Sequence, residues 1–122
     1  EVLLKQTHSE KCKIFLNKIV KGEIKAIVSD FTIDTIIISM ERNDVDFNEI
    51  DSFLKKLLNS KGLRIYSINM KDRINCLKLM EKYQLDYEDS IVLQSALSTQ
   101  STKIISFDKH FDKIQETKRI EP

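Results

Sequence analysis

Glycine and proline are nearly absent from this chain, with two glycines and one proline among 122 residues. Loops that cradle phosphates through closely spaced glycines, GxGxxG and GxxxxGK[ST], are excluded, and with them nucleotide binding of those kinds. There is no GxSxG elbow, and His8 and His110 lie in polar segments without a nucleophile at a recognised spacing. Cys12 and Cys76 stand far apart, with no CxxC pair and no Cys/His cluster, so a zinc site of that kind is excluded and reduced thiols are expected in core or boundary positions. No apolar run approaches the length of a membrane span. A membrane partner is not expected, and the expected setting is cytoplasmic. An excess of one charge is also lacking: the formal net charge is +1, so any nucleic-acid partner must be met by local Lys and Arg rather than by a general field.

Acids are the chemistry that remains. A chain of 122 residues with 41% hydrophobic content makes one domain, residues 1–122, with a single core. Its first segment, Glu1 to Gln6, opens on an apolar, helix-like pattern of Val2, Leu3 and Leu4. Ser9 is the expected cap of a helix through Lys21, with Cys12, Phe15, Leu16, Ile19 and Val20 at helical spacing and Gly22 at its end. A strand follows over Ile24–Val28. Ser29 then caps a helix from Asp30 to about Arg42 with Ile33, Ile36, Ile37 and Met40 as its buried stripe, although the β-branched run keeps a strand open as the alternative. After a polar break at Asn43–Asp46, a third amphipathic helix carries Phe47, Ile50, Phe53, Leu54, Leu57 and Leu58 and closes near Gly62. Leu63–Ile68 reads as a strand. Asn69 starts a helix over Met70–Tyr83 with Ile74, Leu77, Leu79 and Met80 as its apolar side, and a last short strand covers Lys118–Glu121. Helices that regularly separate short strands predict right-handed crossovers and an α/β fold, a three-layer sandwich with a central parallel sheet flanked by helices.

The chain is organised around Leu85–Phe111, which reads as a helix opening in acids, a short turn and a strand ending in an aspartate. Steps of three and four from Asp89 reach Val92, Leu93 and Ala96, so this carboxylate lies on the apolar stripe. Burying it costs several kcal/mol unless something pairs with it, and a bound cation would do so. Asp108 follows Lys-Ile-Ile-Ser-Phe and projects from the carboxyl end of its strand, where open α/β sheets place their ligands. A structural role is open for the same residues. Asp86 with Asp89 three positions later fits a helix start, and Asp108 fits the cap of a turn through Lys109, His110 and Phe111. Ser90 and Ser106 are placed either to orient a carboxylate or phosphate or simply to pack.

These segments resemble the PIN domain, the small nuclease fold of the VapC-type toxins and their stand-alone relatives. The resemblance rests on Ile27-Val28-Ser29 running into a helix, Leu85-Asp86-Tyr87-Glu88-Asp89-Ser90-Ile91 with Ala96, Ile104-Ile105-Ser106-Phe107-Asp108-Lys109-His110-Phe111, and the closing Arg119-Ile120-Glu121-Pro122. It implies an endoribonuclease that holds Mg²⁺ or Mn²⁺ in a cluster of acids and hydrolyses RNA with a metal-activated water. Carried over by position, the third family acid is Asp89 and the fourth Asp108. The first would lie in an opening strand ahead of the first helix here, which implies an N-terminally incomplete domain. The second falls on Thr35, so Asp34 or Asp30 is the expected substitute, Asp34 preferred. Asp86 joins the candidate metal residues, and Lys109, His110 and Arg42 are candidate phosphate contacts. The resemblance further implies an antitoxin partner and homodimerisation. The departure at Thr35 keeps open a catalytically inactive module that binds RNA or a protein, and a receiver-like phosphoacceptor domain ranks behind both because its later strand would end in lysine rather than Asp108.

Overall fold

The computed structural model of the chain describes residues 10–106 and 108–121, with side chains from residue 14 onward. The expected cap Ser9, the segment Glu1–Gln6, His8, Phe107, Pro122 and the side chain of Cys12 lie outside the described residues. In order, the elements are α1 (Glu10–Lys21), β1 (Ala26–Ser29), α2 (Asp30–Arg42), α3 (Phe47–Leu58), β2 (Leu63–Tyr66), α4 (Met70–Tyr83), α5 (Tyr87–Ser98), β3 (Lys103–Ile105), a 3₁₀ turn (Lys109–Lys113) and β4 (Lys118–Ile120).

Helix starts follow local chemistry. The Ser29 hydroxyl accepts the Thr32 N–H at 3.0 Å and opens α2, which settles the β-branched run as helix. Asn69 accepts the Asp72 N–H at 2.8 Å while Asp72 accepts the Asn69 N–H at 3.1 Å, a reciprocal box that fixes α4. Gly22 ends α1 with φ +83, a left-handed conformation that glycine adopts without a Cβ penalty. Gly62 does not close α3, which ends at Leu58 with Asn59 as its cap. Its role is close approach: a Cβ there would collide with the carbonyl oxygen of Ile24 and come within 2.7 Å of that of Ile19.

The strands pair in parallel, as the alternating order predicts, in two ladders: β1 with β2, Val28 opposite Ile65, and β3 with β4, Ile104 opposite Arg119. Among the described residues the two ladders form separate pairs. The result is the expected α/β arrangement of parallel strands flanked by helices, and α5 packs against both β1 and β3 while also packing on α4 and α2. A helix covered from several sides must be apolar or neatly paired around most of its circumference. Accordingly Asp89, Ser90, Ile91, Leu93, Gln94, Ser95 and Ala96 of α5 are all buried. Leu93 and Ala96 join Leu85, Ile104, Phe111 and Ile114 in one core cluster, while Ile91 joins Ile68 and Cys76 in another.

The buried side of α4 differs from the expectation. Ile74 and Leu77 are 54% and 61% exposed, and the inward stripe is formed by Asp72 and Cys76 with the partly buried Leu79, Met80 and Tyr83. The reason is the Asp72 carboxylate. It accepts from the Tyr66 hydroxyl at 2.7 Å, from the Asn69 N–H, from Gln94 at 3.2 Å and from Ser98 at 3.0 Å, which turns its whole stripe toward α5. Burial pushes the Asp72 carboxyl up, but these four donors together outweigh it and leave the pKa below the ordinary carboxylate value. Cys76 is a free, buried thiol, raised by that burial. In α3 only Leu57 is buried, and Phe47 and Leu58 are 80% and 78% exposed.

Candidate metal centre

Two short stretches make the site: the first turn of α5 and the turn after β3. Asp86 precedes α5 with extended backbone, and its carboxylate accepts the Asp89 N–H at 2.8 Å. This cap fixes the turn that carries Asp89 into the interior, where the side chain is 7% exposed. The Phe31 and Tyr87 rings meet edge to face with centroids 5.6 Å apart and tie the same turn to the start of α2.

On the other side, Ser106 continues the β3 ladder by donating its N–H to Ile120. Its hydroxyl accepts the Asp108 N–H at 2.9 Å, and Arg119 donates to its carbonyl at 3.1 Å. Arg119 is itself clamped by Asp112 at 2.6 Å and Glu121 at 3.0 Å, and its guanidinium holds the Asp112 carboxyl below the usual carboxylate range. Asp108 then caps the 3₁₀ turn by accepting the His110 N–H at 2.9 Å. Phe111 and Ile114, both buried, anchor that turn in the core.

The consequence is a convergence of three polar groups. Nδ1 of His110 lies 3.0 Å from Oδ1 of Asp108 and 3.3 Å from Oδ2 of Asp89. One ligand atom from each of Asp89, Asp108 and His110 falls within 4.8 Å of the other two, and no other such group occurs among the described residues. Two atoms bound to a common ion at about 2.1 Å stand no more than about 4.2 Å apart. Both imidazole–carboxylate separations meet that limit. The donor set, two carboxylates and an imidazole, suits a divalent cation.

The model of the PIN domain matches residues 1–117. The chain belongs to the PIN domain family. No match was found among curated proteins or among solved structures. The PIN domain is a nuclease-type fold, its members use divalent metals, and this PIN domain carries an acidic group able to hold one. No helix among the described residues is long and apolar enough to cross a membrane.

The remaining sequence candidates fall elsewhere. Asp86 is exposed and spent on capping α5. Asp30 accepts the Ile68 N–H at 3.1 Å and joins the start of α2 to the loop before α4. Asp34 is exposed on α2, and the Thr35 hydroxyl donates back to the Thr32 carbonyl at 2.8 Å rather than outward. None of these three acids is in the group formed by Asp89, Asp108 and His110. Arg42 is exposed in the last turn of α2, about 18 Å along the helix from Asp30 at 1.5 Å per residue. Lys109 is exposed beside Asp108. Ser90 donates to the Tyr87 carbonyl at 2.6 Å within its own helix, whereas Ser106 holds the Asp108 backbone. His110 was legible from sequence only as a phosphate contact. Its place against both carboxylates depends on a through-space approach of β3 and α5 that no spacing encodes.

Proposed function

We propose that the chain is a metal-dependent endoribonuclease that hydrolyses RNA phosphodiesters. The observation that carries this reading is the meeting of Asp89 and Asp108, from two separate elements, at one corner of a nuclease-type fold. In it the two carboxylates hold Mg²⁺ or Mn²⁺, which when bound supplies an activated water and offsets charge on the phosphate. The residues of the chain set the geometry. The α5 cap fixes the direction of Asp89, and Ser106 with Arg119 fixes the strand end that carries Asp108, so neither carboxylate has to be ordered as substrate arrives. No side-chain nucleophile is required. Lys109, exposed at the rim, serves as a contact for the RNA backbone, a role open to Arg42 only for RNA that extends along α2.

Within this reading the protein works in the cytoplasm as a VapC-type toxin, with an antitoxin segment that closes over the acidic group, and a second copy of the chain is its other protein partner. One observation favours a different reading, a non-catalytic module that binds RNA or protein: Thr35 stands where the family's second acid falls, and its hydroxyl is committed to its own helix. The two are separated by Mn²⁺- or Mg²⁺-dependent cleavage of a labelled RNA, run beside Asp89→Asn and Asp108→Asn. Cleavage lost in both variants supports the enzyme. RNA binding without cleavage, indifferent to both changes, supports the module.

A further inference from the structure

Resting on the reading of this corner as a metal centre, we infer that Nδ1 of His110 is a ligand of the same ion. The centre is then one nitrogen and two carboxylates, and it selects Mn²⁺ and the later first-row divalent ions over Mg²⁺.

The argument starts from the turn. His110 follows Asp108 by two residues, and its backbone N–H is bound by the Asp108 carboxylate at 2.9 Å, which folds the imidazole back across that carboxylate. Phe111 and Ile114, 1% and 3% exposed, leave the turn little freedom to swing away. The ring is nevertheless 66% exposed, so burial of apolar surface does not explain where it lies. What it meets there is polar on both sides, Oδ1 of Asp108 at 3.0 Å and Oδ2 of Asp89 at 3.3 Å, both through the same nitrogen. A single ring nitrogen this close to two carboxylates from different elements is a third donor atom that can share one ion with their oxygens.

Donor identity then decides selectivity. Mg²⁺ is small and hard, binds through oxygen, and keeps several waters instead of taking nitrogen ligands. Imidazole strengthens binding progressively along Mn²⁺, Co²⁺ and Zn²⁺, following the Irving–Williams order. An all-carboxylate pair discriminates weakly among these ions, so the discrimination resides in His110.

The test is isothermal titration of the full metal-free chain with MnCl₂ and, separately, MgCl₂, repeated for His110→Ala, Asp108→Asn and Asp89→Asn. Circular dichroism checks that each variant is folded. The expected result is a native preference for Mn²⁺ of about tenfold or more, lost in His110→Ala through weaker Mn²⁺ binding while Mg²⁺ affinity stays within about twofold. Co²⁺ gives an independent readout: its visible absorption band differs between the native chain and His110→Ala when a nitrogen ligand is removed. If Asp108→Asn and Asp89→Asn abolish Mn²⁺ binding but His110→Ala leaves the Mn²⁺ to Mg²⁺ ratio and the Co²⁺ band unchanged, the imidazole is not a ligand and this inference falls while the metal centre stands. If the native chain binds neither ion, or binds them unaffected by both carboxylate changes, the metal centre itself falls and the inference with it.

Discussion

The carboxylate of Asp86 accepts the backbone N–H of Asp89 at 2.8 Å, so the residue that starts α5 also fixes the turn that brings Asp89 toward Asp108 and His110. The capping residue and the member of the acidic group are separate acids three positions apart. An acid-rich helix start is therefore no argument against a metal centre, because the acid that caps the helix and the acid that meets Asp108 and His110 are different residues.

Asp86→Ala removes that cap. Stability should fall by about 1 kcal/mol, seen as a melting temperature lower by about 4 °C. Mn²⁺ affinity should fall as well, because the first turn of α5 frays. Unchanged Mn²⁺ affinity in a measurably less stable Asp86→Ala protein would mean that the Phe31–Tyr87 contact holds the turn without the cap.

Asp72 contributes to the acid sensitivity of the fold. Its folded pKa lies below the ordinary value, so the unfolded chain binds the proton more readily and stability rises with pH through this range. The contribution is complete above the ordinary carboxylate value and is lost as the pH falls through the lowered one. Asp72→Asn keeps one acceptor oxygen but sets an amide NH₂ against donors. Chemical denaturation at neutral pH should show a loss of about 2 kcal/mol or more. The same series at decreasing pH should show a shallower decline for the variant than for the native chain, and parallel curves would contradict the assignment.

Gly62→Ala should destabilise by about 2 kcal/mol or more through overpacking, since the new methyl meets the carbonyl oxygens of Ile24 and Ile19, which belong to backbone and cannot swing aside. Equilibrium denaturation measures it. Gly22→Ala is expected to cost about 1 kcal/mol, from its left-handed conformation and a Lys61 contact at 3.2 Å.

Asp34→Asn should leave Mn²⁺ affinity and RNA cleavage within about twofold of the native values, because this carboxylate is on the exposed face of α2 and outside the group formed by Asp89, Asp108 and His110. Parallel titration and cleavage assays decide it. A loss of tenfold or more would bring Asp34 into the centre on substrate binding.

Helix positions were largely legible because their caps are local: Ser29, Asn69 and Asp86 each bind an N–H three residues on. Asp89 and Asp108 were legible for a related reason, since a carboxylate on an apolar stripe and another at a strand end are anomalies within a few residues of sequence. The face of α4 was not. Ile74 and Leu77 carry the apolar signal, but a buried aspartate with four hydrogen-bond donors from Tyr66, Asn69, Gln94 and Ser98 outweighs it, and those donors come from three different parts of the chain. The position of His110 against Asp89 was not legible on the same grounds, and the pairing of the strands is likewise a property of packing rather than of any one segment.

Being wrapped by β1, β3, α2 and α4, α5 is the keystone of the architecture as well as the bearer of Asp89. The fold and the candidate metal centre therefore share one mutational target. A substitution at Ile91 or Leu93, both fully buried, disturbs the packing of the core and the placement of Asp89 together.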